Sequence, residues 1–309
     1  MIRLVFNGYY RSGTTVMYRI LKESNADMLA LYEPLHPRLF GTDIKGRSLL
    51  LHGFNPWSCY QSEPFKRIEP KYRSHHEALK KKHGGGILPF EFKEIEPLFD
   101  LLHSLEVDVI LQPNNCHFVL SGMAEKYGCK TIHIIRNPVD VWISATLSLK
   151  AKEKLLAKLI YDLRTTFLGR YVVTKYLPKQ NWIGLRFSLN VDYRRISKRF
   201  GIEVDDDDYL AKMLVNWTIC NYHAFKQSDG RKGMCVYYEE VATNPAEWLK
   251  AMSDFSGLNF DLNHVKIIEP KITRDKKLRK FFVEKLEKIG LLDLVKEFYP
   301  PERWFTGGC

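Results

Sequence analysis

Five short runs, nearly all apolar and rich in β-branched and aromatic residues, recur along the chain with helical patterns between them: IRLVF (2–6), MLALY (28–32), VDVILQ (107–112), KTIHII (130–135) and MCVYY (234–238). A run without polar alternation is a strand covered on both faces, and strands separated by helices pair in parallel. The spacing therefore predicts an α/β fold, a central parallel sheet with helices on both faces. Ligands of such sheets bind beyond the carboxyl ends of the strands. The residues that follow each run are thus the first place to look for chemistry.

The first run leads into GYYRSGTT (8–15), which keeps the glycine frame of the phosphate loop G-x-x-x-x-G-K-[ST] but places Thr14 where the lysine stands. Val16, Met17, Ile20 and Leu21 then recur with helical spacing, so a helix is expected to start at Thr14. The amides of that start, with the hydroxyls of Ser12, Thr14 and Thr15, make a ready anion site. A plain strand-to-helix turn that uses Gly8 and Gly13 for geometry alone is the competing reading. Arg11 adds a planar fork of donors that stays charged at any working pH. The runs 107–112 and 130–135 end in Gln112 and Arg136, where a magnesium-dependent nucleotide hydrolase uses an aspartate. The expected anion is therefore not the γ-phosphate of a magnesium nucleotide.

A second anion site is expected in IIRNPVDVWIS (134–144). Here a strand ends at Arg136, Asn137 is placed to cap a helix, Pro138 suits its first position, and Ser144 follows about two turns on. Arg136 and Ser144 can meet on one oxyanion; a well-capped turn with a surface arginine is the alternative.

Together the two motifs resemble the sulfotransferase family that uses 3′-phosphoadenosine 5′-phosphosulfate (PAPS). The family's 5′-phosphosulfate loop, [KR]-[ST]-G-[ST]-[ST], is matched by Arg11, Ser12, Gly13, Thr14 and Thr15, and its 3′-phosphate motif by Arg136, Pro138 and Ser144. VYYEEVATNPAEWLKAMSDFSGL (236–258) is similar to the family's late strand, its Tyr-Glu-Asp-like turn and the helix behind it. The resemblance implies a P-loop-like sulfotransferase architecture, a PAPS donor bound by these residues and Tyr238, and sulfuryl transfer without a metal. It gives Arg11 the place often held by a lysine, stabilising charge on the sulfuryl oxygens and on the leaving phosphate. It departs at Gln112, near which many relatives carry a lysine.

Transfer to a hydroxyl needs a base. LYEPLHP (31–37) looks like the Tyr-Glu-Pro-Leu segment of carbohydrate sulfotransferases, which makes Glu33, at a strand end, the first candidate. His36 and His117, the latter in QPNNCH (112–117), are the alternatives. The same segment tilts the expected acceptor toward a sugar hydroxyl, small or on a glycan.

The 309 residues are read as one domain, with a lid or substrate insertion at 41–95 and a helical elaboration at 145–230. In the insertion, Phe54, Trp57, Tyr60, Phe65 and Tyr72 can stack on sugar rings or form a small core, and HGGG (83–86) reads as a flexible hinge. The acidic run Asp205–Asp208 is expected to cap the helix that follows it rather than hold a metal. Six cysteines lack C-x-x-C spacing, which argues for reduced thiols. The first strand begins at Met1 or Ile2, and no apolar stretch reaches spanning length, so a cytoplasmic protein without a membrane segment is expected. A net charge of +11 favours anionic ligands, the acceptor among them, without naming one. No nucleic-acid module is recognisable. A degenerate P-loop kinase or nucleotidase and a non-catalytic polyanion-binding protein are the competing functions; magnesium dependence and salt-dependent affinity without PAPS would mark them.

Overall fold

The computed structural model describes residues 1–41, 55–146, 183–228, 230–261, 263 and 276–305. Parts of both proposed insertions, Phe54 among them, and Cys309 lie outside them. The chain falls into two compact units, Met1–Ile135 with His223–Pro270, and Arg136–Tyr222 with Lys271–Cys309.

The first unit is built on five parallel strands: β1 (Ile2–Gly8), β2 (Leu29–Tyr32), β3 (Val109–Gln112), β4 (Lys130–Ile135) and β5 (Gly233–Tyr237), in the order β2-β3-β1-β4-β5. Leu4, Val5, Phe6, Ile110, Leu111, Ile132 and Ile134 are fully buried, as continuous apolar runs require when both faces are covered. From β1 the chain passes β3 to reach β2, through helix α1 (Thr14–Ser24). From β3 it crosses β1 to reach β4. Right-handed crossovers put these two connections on opposite faces, so the carboxyl end of β1 lies where the connections diverge. Such a divergence opens the crevice in which parallel sheets bind ligands.

α1 starts at Thr14, as its spacing predicts, and buries Met17, Tyr18, Ile20 and Leu21. The fifth strand ends one residue earlier than its composition suggests. Tyr238 opens helix α8 (Tyr238–Thr243), whose first turn carries Glu239 and Glu240, a favourable place for carboxylates. α9 (Pro245–Ser256) follows and packs against β4.

The described part of the 41–95 segment is ordered around a 3₁₀ turn (Pro56–Gln61) and helix α2 (Glu63–Lys82). Trp57, Phe65 and Tyr72 join the core of the unit, so these aromatics serve packing rather than an exposed platform. The glycine run ends α2 instead of forming a hinge: Gly84 and Gly85 take φ of 62° and 95°, and Gly85 N donates to Lys80 O at 2.8 Å. α3 (Glu96–His103) and α4 (Leu120–Tyr127) follow before β4.

The second unit is helical in its described residues: α5 (Pro138–Thr146), α6 (Ile183–Phe200), most of α7 (Tyr209–Gln227), α10 (Lys276–Lys288), α11 (Leu292–Phe298) and α12 (Pro301–Phe305). Asp208 caps α7, its Oδ1 accepting from Ala211 N at 2.9 Å, as the acidic run implied, and it also pairs with Lys285. Among the described residues no helix is long and apolar enough to cross a membrane. Cys59, Cys116, Cys129, Cys220 and Cys235 are free thiols.

Candidate active site

Among the described residues, Arg11, Glu33 and Asn114 are the non-glycine residues with positive φ, at 64°, 45° and 59°. Side chains in this region cost of order 1–3 kcal/mol each and persist only where the surroundings hold them. All three lie just beyond the carboxyl ends of neighbouring strands: Arg11 after β1, Glu33 directly after β2, Asn114 two residues after β3. Their side chains meet. Asn114 Nδ2 donates to Glu33 Oε1 at 2.7 Å, Gln112 Nε2 donates to Asn114 Oδ1, and the Arg11 charge acts on the Glu33 carboxylate.

The strained turn carrying Glu33 is held from several sides. Glu33 N donates to Gln112 O at 2.7 Å, continuing the β2–β3 ladder past its end. The 56–82 helical segment then clamps the backbone: Tyr60 hydroxyl donates to Tyr32 O at 2.8 Å, Tyr72 hydroxyl to Pro34 O at 2.9 Å, and His76 Nε2 to His36 O at 3.1 Å. Burial pushes the Glu33 carboxyl up to about 7, against the Tyr32 hydroxyl, the hydrogen bond from Asn114 and the nearby Arg11 charge. A carboxylate tuned to neutrality can accept a proton and return it at working pH.

The loop after β1 is shaped for close approach. Gly13, with φ of 88°, stands before α1 without a side-chain cap, and a Cβ there would lie 2.5 Å from the Tyr238 ring. Ser12 is fully buried, and its Oγ has no hydrogen-bond partner. A buried hydroxyl left unsatisfied costs about 1–3 kcal/mol, so Ser12, beside the open amides of the helix start, fits an anionic group. Thr14 is buried, and Thr15 Oγ1 lies 2.9 Å from the Tyr32 hydroxyl. The Arg11 guanidinium sits 5.0 Å from the centre of the exposed Tyr10 ring, a cation–π distance.

The two candidate histidines sit in different settings. His36 Nδ1 accepts from Arg38 N at 3.1 Å, which leaves its proton on Nε2, 3.8 Å from Glu33 Oε2. Burial, with Arg38 and His76 close by, lowers its pKa to about 4. His117 is only 1% exposed. Asn7 Nδ2 bridges the Nδ1 atoms of His117 and His133, each at 3.1 Å, while Asn7 Oδ1 accepts from Cys116 N. Burial holds His117 well below the usual histidine range. Asn114 and Asn7 had no signal in the sequence beyond standing near strand ends, and Tyr32 stood out only as part of the Tyr-Glu-Pro-Leu segment.

In the second unit, Arg136 is buried and its carbonyl accepts from Trp217 Nε1 at 3.0 Å. Asn137 caps α5 as expected, its Oδ1 accepting from Val139 N at 2.9 Å. Ser144 stands half-buried two turns along the same helix.

The glycine loop beyond the central strand β1 and the Glu33 carboxyl, raised to about 7, thus stand together at the carboxyl ends of the strands of an α/β protein. By sequence, the chain is 51% identical over 99% of its length, and 100% of the other, to a protein of Archaeoglobus fulgidus described as "Uncharacterized protein", and it belongs to the family of that protein. No family model matches the chain. Among solved structures it is similar to a sulfotransferase from Alicyclobacillus acidocaldarius, with 14% identity, 95% of this chain and 96% of that one covered, and a TM-score of 0.40. It is also similar to a sulfotransferase domain from the curacin biosynthetic pathway, with 11% identity, 96% and 97% coverage, and a TM-score of 0.39. A third, the sulfotransferase domain of the Synechococcus PCC 7002 olefin synthase, has 14% identity, 94% coverage of both chains and a TM-score of 0.38.

Proposed function

We propose that this is a cytoplasmic sulfotransferase that moves the sulfuryl group of PAPS to an acceptor hydroxyl on a carbohydrate or glycoconjugate, by in-line transfer without a metal. The observation that carries the reading is Glu33: a carboxyl whose pKa desolvation raises to about 7, set in a strained and clamped turn, beside an arginine from a loop that matches the 5′-phosphosulfate motif. In this reading Ser12, Thr14 and the amides from Gly13 onward hold the 5′ end of the donor, while Tyr238 lines the loop. Arg136 and Ser144, matching the 3′-phosphate motif, bind the phosphate that distinguishes PAPS from ATP.

The donor supplies an activated sulfuryl group, and the chain's part is positioning and charge. Glu33 takes the acceptor hydroxyl's proton, worth about 10² to 10⁴ in rate for a placed base. His36, neutral at working pH, directs its Nε2 proton toward Glu33 Oε2 and steadies the carboxylate. Arg11 offsets charge that grows on the sulfuryl and leaving oxygens, where fixed donors act most strongly. The sugar acceptor is inferred from the Tyr-Glu-Pro-Leu resemblance at 32–35.

Adenosine 3′,5′-bisphosphate (PAP) tests the reading directly. PAP at 100 times its Kd should stabilise the fold by about 2.7 kcal/mol, with magnesium-ATP at the same concentration giving far less. Equal stabilisation by both would transfer the protein to the nucleotide kinase reading. With PAPS, Arg11→Ala should lose turnover more than PAP affinity and Arg11→Lys should keep part of the rate; unchanged turnover in Arg11→Ala would remove the loop from the chemistry.

A further inference from the structure

Gln112, Asn114 and Glu33 form a row of hydrogen-bonded side chains across the ends of β3 and β2. Asn114 Nδ2 donates to Glu33 Oε1 at 2.7 Å, and Gln112 Nε2 donates to Asn114 Oδ1. The backbone that carries the row is fixed as well. Glu33 N donates to Gln112 O at 2.7 Å and Asn115 Nδ2 to Leu35 O at 3.3 Å, so the turn after β2 and the loop after β3 are tied to each other. Asn114 itself takes φ of 59°, a conformation that asparagine tolerates better than most residues.

The direction of the row follows from what each group can give. An ionised carboxylate has no hydrogen to donate, so Asn114 must turn its N–H toward Glu33. Its oxygen then faces Gln112, which must turn its own N–H toward Asn114. The last oxygen of the row, Gln112 Oε1, is left over: it has no hydrogen-bond partner among the described residues, although Gln112 is fully buried. A buried acceptor without a donor opposes folding. Reversing both amides would give Oε1 a donor but would set the Asn114 oxygen against the carboxylate. The charge on Glu33 therefore decides the orientation of both amides, and Gln112 holds Asn114 to it. The two carboxylate oxygens end up unlike. Oε1 is engaged by Asn114, whereas Oε2 receives no hydrogen bond from the described residues and lies 3.8 Å from His36 Nε2, beyond hydrogen-bonding distance.

We propose that Gln112 and Asn114 are positioning residues for Glu33: Gln112 locks the Asn114 amide with its N–H toward the carboxylate, Asn114 occupies Oε1, and Oε2 is left open to the proton of the substrate hydroxyl. Gln112 acts only through Asn114. In the transfer reaction, on whose proposed form this role rests, the hydroxyl's O–H bond breaks and an O–H bond forms at Oε2. The hydroxyl oxygen bonds the sulfuryl sulfur, and the leaving phosphate oxygen keeps the electron pair of the broken S–O bond. The row does not rearrange in that step, because the proton lands on the oxygen that Asn114 does not touch. Other groups bear on the same carboxylate: Arg11 and Tyr10 from the loop after β1, Tyr32 and His36 on either side of Glu33 in its own segment, and Tyr60 of the 3₁₀ turn. Their influence does not pass through Asn114, so a double substitution separates it from the row.

Carbon NMR of protein labelled at the glutamate side-chain carboxyls reads the Glu33 titration directly, with its resonance identified by its loss in Glu33→Gln. The wild-type midpoint should lie at about 7. Asn114→Gly removes the donor at a φ that glycine takes freely, and it should raise the midpoint by about one pH unit, because a hydrogen bond to the charged form favours that form. Asn114→Asp keeps the side chain's shape, sets a second carboxylate against Glu33 and should raise the midpoint further; it is the second variant if the glycine one folds poorly. Gln112→Met should raise the midpoint by less than Asn114→Gly does, and should not move it at all in the Asn114→Gly background. An unchanged midpoint in both Asn114 variants would overturn the proposal, and so would a Gln112→Met shift of the same size with and without Asn114. A PAP titration of the wild type separates this proposal from the reading it rests on. Midpoints that move as expected in a protein that does not bind PAP would support the row and sink the PAPS reading; PAP binding with midpoints that stay in place would do the reverse.

Discussion

Glu33→Gln should stabilise the protein, and only at high pH. In the unfolded chain the Glu33 carboxyl titrates at its ordinary 4.5; in the fold burial raises it to about 7. At about 1.4 kcal/mol for each pH unit of that difference, ionised Glu33 costs the fold about 3 kcal/mol. The sign follows from proton counting. Between pH 4.5 and 7 the folded state holds a proton that the unfolded state has released, so stability falls as pH rises through this window and levels off above it. Glutamine keeps an oxygen to accept from Asn114 Nδ2 and never ionises. The variant should therefore exceed the wild type by under about 1 kcal/mol at pH 5 and by about 3 kcal/mol at pH 8.5. For a chain of 309 residues that larger gap is a rise in Tm of about 5 °C. Denaturant titrations of both proteins at the two pH values measure it, with a PAP titration alongside to show that the loop is intact. A gap independent of pH, or a variant less stable at pH 8.5, would refute a carboxylate held short of water and make Glu33 an ordinary turn residue. The same ionisation sets the rate profile: turnover should fall as pH drops below 7, and what remains in Glu33→Gln should lack that limb.

Arg136→Ala should weaken PAP by about 1.5–3 kcal/mol while adenosine 5′-phosphosulfate, without a 3′-phosphate, loses little in the same calorimeter; equal losses would make Arg136 a structural residue. Gly13→Ala should cost about 1–3 kcal/mol of stability, because φ of 88° and a Cβ 2.5 Å from the Tyr238 ring both oppose it, and it should abolish sulfate binding. Asp208→Ala should lose about 1 kcal/mol in a denaturant titration, since it removes the cap on Ala211 N, and should leave PAP affinity unchanged.

The sequence by itself marked the five strands, the start of α1 and the caps of two helices, but not the helices of the 41–95 segment. Continuous apolar runs mark strands buried on both faces, Met17, Ile20 and Leu21 mark the buried side of α1, and Asn137 and Asp208 cap their helices through bonds to residues two and three positions on. Each of these signals is local, written within a turn or two of chain. The chemistry of the site is not local. Glu33 and Asn114 are separated by 81 residues and meet because β2 pairs with β3 rather than with its predecessor in the chain. Nothing in a single sequence writes that strand order. The same holds for the backbone strain at Glu33, whose φ of 45° is held by the β2–β3 ladder and by the clamps on Tyr32 and Pro34 and is not favoured by a glutamate. It holds for His117 as well: the sequence places it in a strand-end loop like Glu33, and the fold sets it inside the protein against Asn7. A pKa near neutrality comes from the water that packing removes and from the few groups left facing the carboxylate. Residue type supplied the carboxyl group, and tertiary structure decided when it holds its proton.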